Sequence, residues 1–201
     1  MTYVIRVDYD QFCEDPQNYD HTWRIYPFRN RGRVDFEERW RDFSNVGLQA
    51  KIRVGLAFPL SAYEHGGIKY YLYGQGPGYD RQWDYTYHAG IMVWEHSPKD
   101  IGAKTYEDRV KDAQSCLDEY NDWLNGNCYS YDITRIDKCP TCQQETEEEE
   151  IDSCSGIIGW DYLAQCLNQT IKDNHIEHAV LRGKAKGFIE NDLDFYKEEV
   201  A

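Results

Sequence analysis

Apolar and polar residues alternate through Tyr3–Tyr9 (YVIRVDY), and this two-residue period predicts an opening strand. A polar loop carrying Asp15-Pro16 follows, and then a second strand at Thr22–Phe28. Lys51–Pro59 and Ile68–Tyr73 are rich in β-branched, aromatic and aliphatic residues and predict two more strands. Between them, Tyr63-Glu64-His65-Gly66-Gly67 has the paired glycines of a tight reversal. After a loop rich in glycine, Tyr85–Glu95 predicts a central strand.

The period then changes. Tyr106, Val110, Ala113, Leu117, Tyr120 and Leu124 recur three or four residues apart, which predicts a helix over 105–125. Thr105 and Asp108 have the spacing of a capping box, and Gly126 supplies a stop. Cys128–Ile136 and Ile151–Ile158 read as hairpin strands joined by an acidic excursion, 137–150. Asp161–Ile171 repeats the helical pattern with Leu163, Cys166, Leu167 and Ile171 inward, and His178–Leu181 (HAVL) is a short β-like piece. Residues 29–43 hold five arginines, with Asp35–Arg39 and Glu37–Arg41 spaced as on a helix surface. Strands mostly precede the first strong helix. The expected class is α+β: one domain over 1–201, a largely antiparallel sheet, two main amphipathic helices, and a long hairpin excursion.

Composition adds a bias. The chain has 201 residues with formal charge −14, and the charge is uneven. Residues 1–100 hold 14 acids and 12 bases, whereas 101–201 hold 22 and 10. Such an acidic half repels phosphate backbones, which argues against direct nucleic-acid binding and for a basic partner, a cation or solubility. No apolar run approaches the ~18 residues of a membrane span. The start reads as a strand and not as a signal peptide, so a cytoplasm is the expected location.

Three groups of residues could carry chemistry. Cys139 and Cys142 (CPTC) could hold one edge of a tetrahedral zinc, but two further ligands are needed. Cys128 and Cys154, expected opposite each other at the hairpin base, stand about 36 Å away at ~3.3 Å per residue. Zinc would therefore need the excursion to fold back or two tips to meet across a homodimer. Glu145, Glu147, Glu148, Glu149, Glu150 and Asp152 form the densest acidic run. It reads either as a solvated loop or as a surface imitating nucleic-acid phosphates, with Glu107, Asp108, Asp112, Asp118, Glu119 and Asp122 adding charge from the helix. Asp152-Ser-Cys154-Ser-Gly156 lies near the D-C-S-G signature of NlpC/P60 thiol hydrolases, with His175 or His178 as the candidate base. A strand cysteine beside a glycine turn is the plainer reading. His65, beside paired glycines and with Trp83-Asp84 in a neighbouring loop, reads chiefly as a turn-holding histidine. The arginines of 29–41 and thirty aromatics suit interface use.

Four segments occur in a fixed order: PLSAYEHGG (59–67), WDYTYHAGIMVW (83–94), YNDWLNGNCYSYDI (120–133) and DSCSGIIG (152–159). Together they resemble an uncharacterised family of phage and mobile-element proteins with PLxxYxHxG, WDxxxxG, YLxGxVYGY and DSCxG segments, over about residues 50–160. The chain departs from that pattern at Cys128, where an aliphatic residue is usual, and at 155–158. The resemblance implies an accessory protein of a mobile element, acting in the host cytoplasm against host defence, and carries over no catalytic residues. The expectation is a non-enzymatic protein that occupies the basic, nucleic-acid-binding surface of a host protein. The alternatives are a hydrolase or transferase using Cys154 and a zinc-bearing assembly module.

Overall fold

The computed structural model describes residues 2–20, 22–28, 46–76, 84–139, 141–142, 145–189 and 192–193. The arginine-rich segment 29–43 and Trp83 lie outside the described residues. Contacts divide the chain into two compact units, residues 1–14 with 126–201 and residues 15–125.

The first unit contains β1 (Thr2–Tyr9), β6 (Cys128–Lys138), β7 (Glu145–Ile158), helix α3 (Trp160–Asp173), β8 (Ala179–Arg182) and the short α4 (Lys186–Ile189). Its four-stranded sheet has the order β7-β6-β1-β8. The β1–β6 and β6–β7 pairs are antiparallel, whereas β8 joins β1 in parallel, so this sheet is mixed. Alternation along β1 turns Ile5 and Val7 inward, and they face Ile133 and Tyr131 across the β6 ladder. Leu163, Leu167 and Ile171, on one stripe of α3, bury against the same cluster. Only Gly159, at φ 87°, separates the end of β7 from α3.

The second unit contains β2 (Arg24–Pro27), α1 (Val46–Arg53), β3 (Ala57–Glu64), β4 (Ile68–Leu72), β5 (Tyr85–Val93) and α2 (Tyr106–Leu124). Its antiparallel sheet has the order β2-β5-β3-β4, with β5 central as expected. Thr105 caps α2 through the Asp108 N–H while the Asp108 carboxylate takes the Thr105 N–H, the capping box read from the sequence. Ala113, Leu117 and Tyr120 of this helix are buried in a core with Trp23, Phe58 and Met92.

The α+β class holds, but two expectations are corrected. A third helix, α1, occupies the start of the stretch assigned to a strand from Lys51. Alternation of Ile52, Val54 and Leu56 imitates a strand, yet Leu48 and Ile52 lie one helical turn apart and pack with Phe28, Ala57, Ile91 and Val93. Gly55, at φ 71°, then ends the helix before β3 begins. The hairpin arms are also longer than expected: β6 runs to Lys138 and β7 begins at Glu145, so most of the acidic run is strand.

Candidate functional site

The register of β6 and β7 decides where each acidic side chain points. Thr134 pairs with Glu150, but the next residue back, Ile133, pairs with Asp152, leaving Ile151 as an extra residue on β7. A bulge of this kind exchanges the faces of the residues on either side. In an unbroken strand Glu148, Glu150 and Asp152 would share one face. Here Glu148 and Glu150 are exposed on the face away from α3, and Asp152 turns toward the helix.

On the outer face the two glutamates share the surface with Asp132 of β6 and Asp8 of β1. Partial burial pushes the Asp132 carboxyl up from the usual range. Arg6 opposes that shift, while Asp8, Glu150 and Glu148 add to it, so the group sits within a crowd of like charge. The Ser153 hydroxyl donates to Glu150 at 3.1 Å on the same face. Glu149 points the other way and forms an ion pair with Arg135. Glu145 and Glu147 belong to β7 by backbone, and their side chains are outside the described residues.

Crowding of carboxylates has a measurable consequence. Because folding raises the Asp132 pKa, the folded state binds the proton more tightly than the unfolded one, and native stability falls as pH rises through the folded value. Asp132→Asn should therefore stabilise the protein at pH 7, by a fraction of a kcal/mol after solvent screening. The gain should shrink as pH falls to the ordinary carboxylate range, and denaturant melts at pH 7 and pH 4 measure it. An equal gain at both values would show that Asp132 does not feel its neighbours.

Asp152 has a structural task. Its Oδ2 accepts from the Tyr131 hydroxyl at 2.7 Å and from the Thr170 hydroxyl at 3.1 Å, tying β6, β7 and α3 together. Burial first, with the Asp152 contact reinforcing it, pushes the Tyr131 phenol up to about 12. Asp152 thus stands apart from the exposed glutamates with which the sequence groups it.

The cysteines are equally dispersed. Cys128 is buried and pairs with Ile158, and Cys154 pairs with Tyr131, so the two do not face each other. Cys139 and Cys142 flank the hairpin tip, the first half-buried and the second exposed. Backbone N–H groups of Cys142 and Thr141 reach the Cys139 sulfur and hold its thiol below the ordinary range. That favours the thiolate a metal would need, although among the described residues no group of three or more His, Cys, Asp or Glu is gathered as a metal site. Cys154 has the opposite bias: burial first, then Cys166 and Asp152, raise its thiol, which disfavours a resting nucleophile. His175 and His178, the histidines proposed to activate it, are both exposed.

In the second unit, three of the helix acids have local partners. Asp112 accepts from the Trp23 indole at 2.8 Å, Asp108 serves the cap, and Asp118 accepts from Gln114 at 3.0 Å. His65 Nδ1 lies 3.2 Å from Asp84 Oδ2, joining the β3–β4 turn to the start of β5, as a turn-holding histidine should. Sequence reading missed Asn121 and Asn125. Asn121 accepts from the Tyr70 N–H at 2.8 Å and donates to the Tyr70 carbonyl at 2.9 Å. Asn125 does the same for Ile68 at 3.2 and 2.8 Å. Their i,i+4 spacing on α2 matches alternate residues of edge strand β4, and that match of periods was the available signal.

Among the described residues no helix is long and apolar enough to cross a membrane. The chain matches no protein-family model, no curated protein and no solved structure.

Proposed function

We propose that the protein is a non-enzymatic interaction protein whose carboxylate-bearing hairpin face docks on a basic protein surface, of the kind that otherwise receives nucleic-acid phosphates. The observation that carries this reading is the Ile151 bulge, which keeps Glu148 and Glu150 together with Asp132 and Asp8 on the face opposite α3. Residues two apart on a strand stand ~6.6–6.8 Å apart, so a sheet presents its charges at fixed spacing and without the ordering cost of a flexible acidic loop. Anchored carboxylates on several strands suit an array of Lys and Arg. The resemblance to phage and mobile-element proteins makes a host nucleic-acid-binding protein the fitting partner.

Binding of a Lys/Arg-rich peptide and of duplex DNA, each labelled and titrated at low and physiological salt, tests the polarity of the surface. The peptide should bind and weaken steeply as salt rises, because exposed charge pairs are screened within a Debye length of ~8–10 Å. DNA should not bind at either salt. DNA binding at physiological salt would overturn the reading and move attention to the arginines of 29–41.

A second reading has one specific observation behind it, the backbone-stabilised Cys139 thiol beside Cys142. As half of a zinc site shared between two hairpin tips, it predicts about half a zinc per chain, lost in Cys139→Ser and Cys142→Ser. Zinc-free protein that stays so after incubation with the metal would remove it.

A further inference from the structure

β7 and α3 leave Gly159 in opposite chain directions, so a contact between them at one rung fixes which residues match at the next. One rung is fixed by a hydrogen bond: Thr170 donates to Asp152 at 3.1 Å. The next rung toward the joint contains Cys154, two residues along the strand, and Cys166, one turn back along the helix. Both steps keep the side chain on the same face, because strands repeat every two residues and helices nearly every four. The step lengths also agree, ~6.6 Å on the strand and ~6 Å on the helix. The register is regular from Asp152 to Cys154, with pairs to Ile133, Asp132 and Tyr131, so no bulge intervenes between them.

We infer that Cys154 and Cys166 form a dithiol that closes into a disulfide between β7 and α3 on oxidation. Cys166 is among the groups that raise the Cys154 thiol, which fits this proximity. Cys154 is exposed and Cys166 half-buried, so peroxide reaches Cys154 first, and the step is slow because the raised thiol is little ionised at neutral pH. A peroxide takes the Cys154 thiol to sulfenic acid, releasing water. The Cys166 sulfur then attacks the Cys154 sulfur, forming the S–S bond and expelling a second water. A thiol donor reverses the bond. Closure fastens α3 to the strand whose other face bears Glu150, and it depends on neither the acidic face nor the CPTC pair.

The experiment uses the full chain carrying Cys139→Ser and Cys142→Ser, so that the tip pair cannot compete, together with the parent. After limited hydrogen peroxide, alkylation should find two thiols fewer than in reduced protein. Proteolysis before Asp161 separates the two cysteines, and mass spectrometry should recover their peptides joined. The melting temperature should rise by roughly 5–10 °C, since the bond closes a short loop of the unfolded chain. Dithiothreitol should undo the rise, and Cys166→Ser should prevent it. Recovery of Cys154 as sulfinic acid, as a disulfide with another cysteine, or as an unmodified thiol beside a free Cys166 would overturn the inference.

Discussion

Replacing Asn121 with alanine should destabilise the protein by about 2–4 kcal/mol, as loss of one side chain strands two buried backbone groups. Asn121 is buried, and its amide satisfies both the N–H and the carbonyl of Tyr70. Each orphaned group costs roughly 1–3 kcal/mol, and no water replaces the amide where the pocket stays closed. Asn121→Asp separates the contributions. It keeps the acceptor for the Tyr70 N–H but loses the donor and buries a charge, so it should be at least as damaging at pH 7 and recover toward low pH. Asn125→Ala should cost less, because that residue is exposed and water can take its place. Denaturant melts of the three variants measure this. A loss below about 0.5 kcal/mol for Asn121→Ala would mean that β4 is not held by this helix.

Gly183→Ala should cost about 2–6 kcal/mol, from backbone strain and overpacking together. Gly183 follows β8 at φ 98°, a conformation that L side chains rarely adopt. An added Cβ would also overlap the Val7 backbone. There is little room to yield, because the Lys184 N–H donates to Asp8 Oδ1 at 2.8 Å and the Ala185 N–H donates to the Val7 carbonyl at 3.1 Å. Those bonds turn the chain off the parallel β1–β8 pair. The variant should lose hydrogen-exchange protection first at β8, near Val180 and Leu181. Full protection there, with an unchanged melting temperature, would show that the turn relaxes at no cost.

What the chain discloses by its pattern alone depends on the range of the interaction. The capping box at Thr105 and Asp108, the apolar stripe of α2, the strand at β1 and the helix after Gly159 are local, and their periods are plain in the residues. Helix α1 was hidden because Ile52, Val54 and Leu56 satisfy a strand period, while the packing of Leu48 and Ile52 on β5 that decides the matter is distant in sequence. The candidate surface was half legible. Density of acids marked 145–152, but the bulge at Ile151 is a property of the pairing with β6 and leaves no local sign. It removes Asp152 from the acidic face and gives it to Tyr131 and Thr170. Asp8 and Asp132, distant in sequence from the acidic run, reach its surface only through the sheet.

The account rests on that face, and one comparison tests it most directly. Association of a Lys/Arg-rich peptide is followed by stopped flow for the parent and two variants with equal charge removed. One carries Asp132→Asn, Glu148→Gln and Glu150→Gln on the hairpin face. The other carries Glu107→Gln, Asp118→Asn and Glu119→Gln on α2. The hairpin variant should associate about tenfold more slowly at low salt, with the difference closing as salt is raised, and the helix variant should stay near the parent. Equal slowing in both would mean that net charge and not the hairpin face attracts the peptide, contradicting the account.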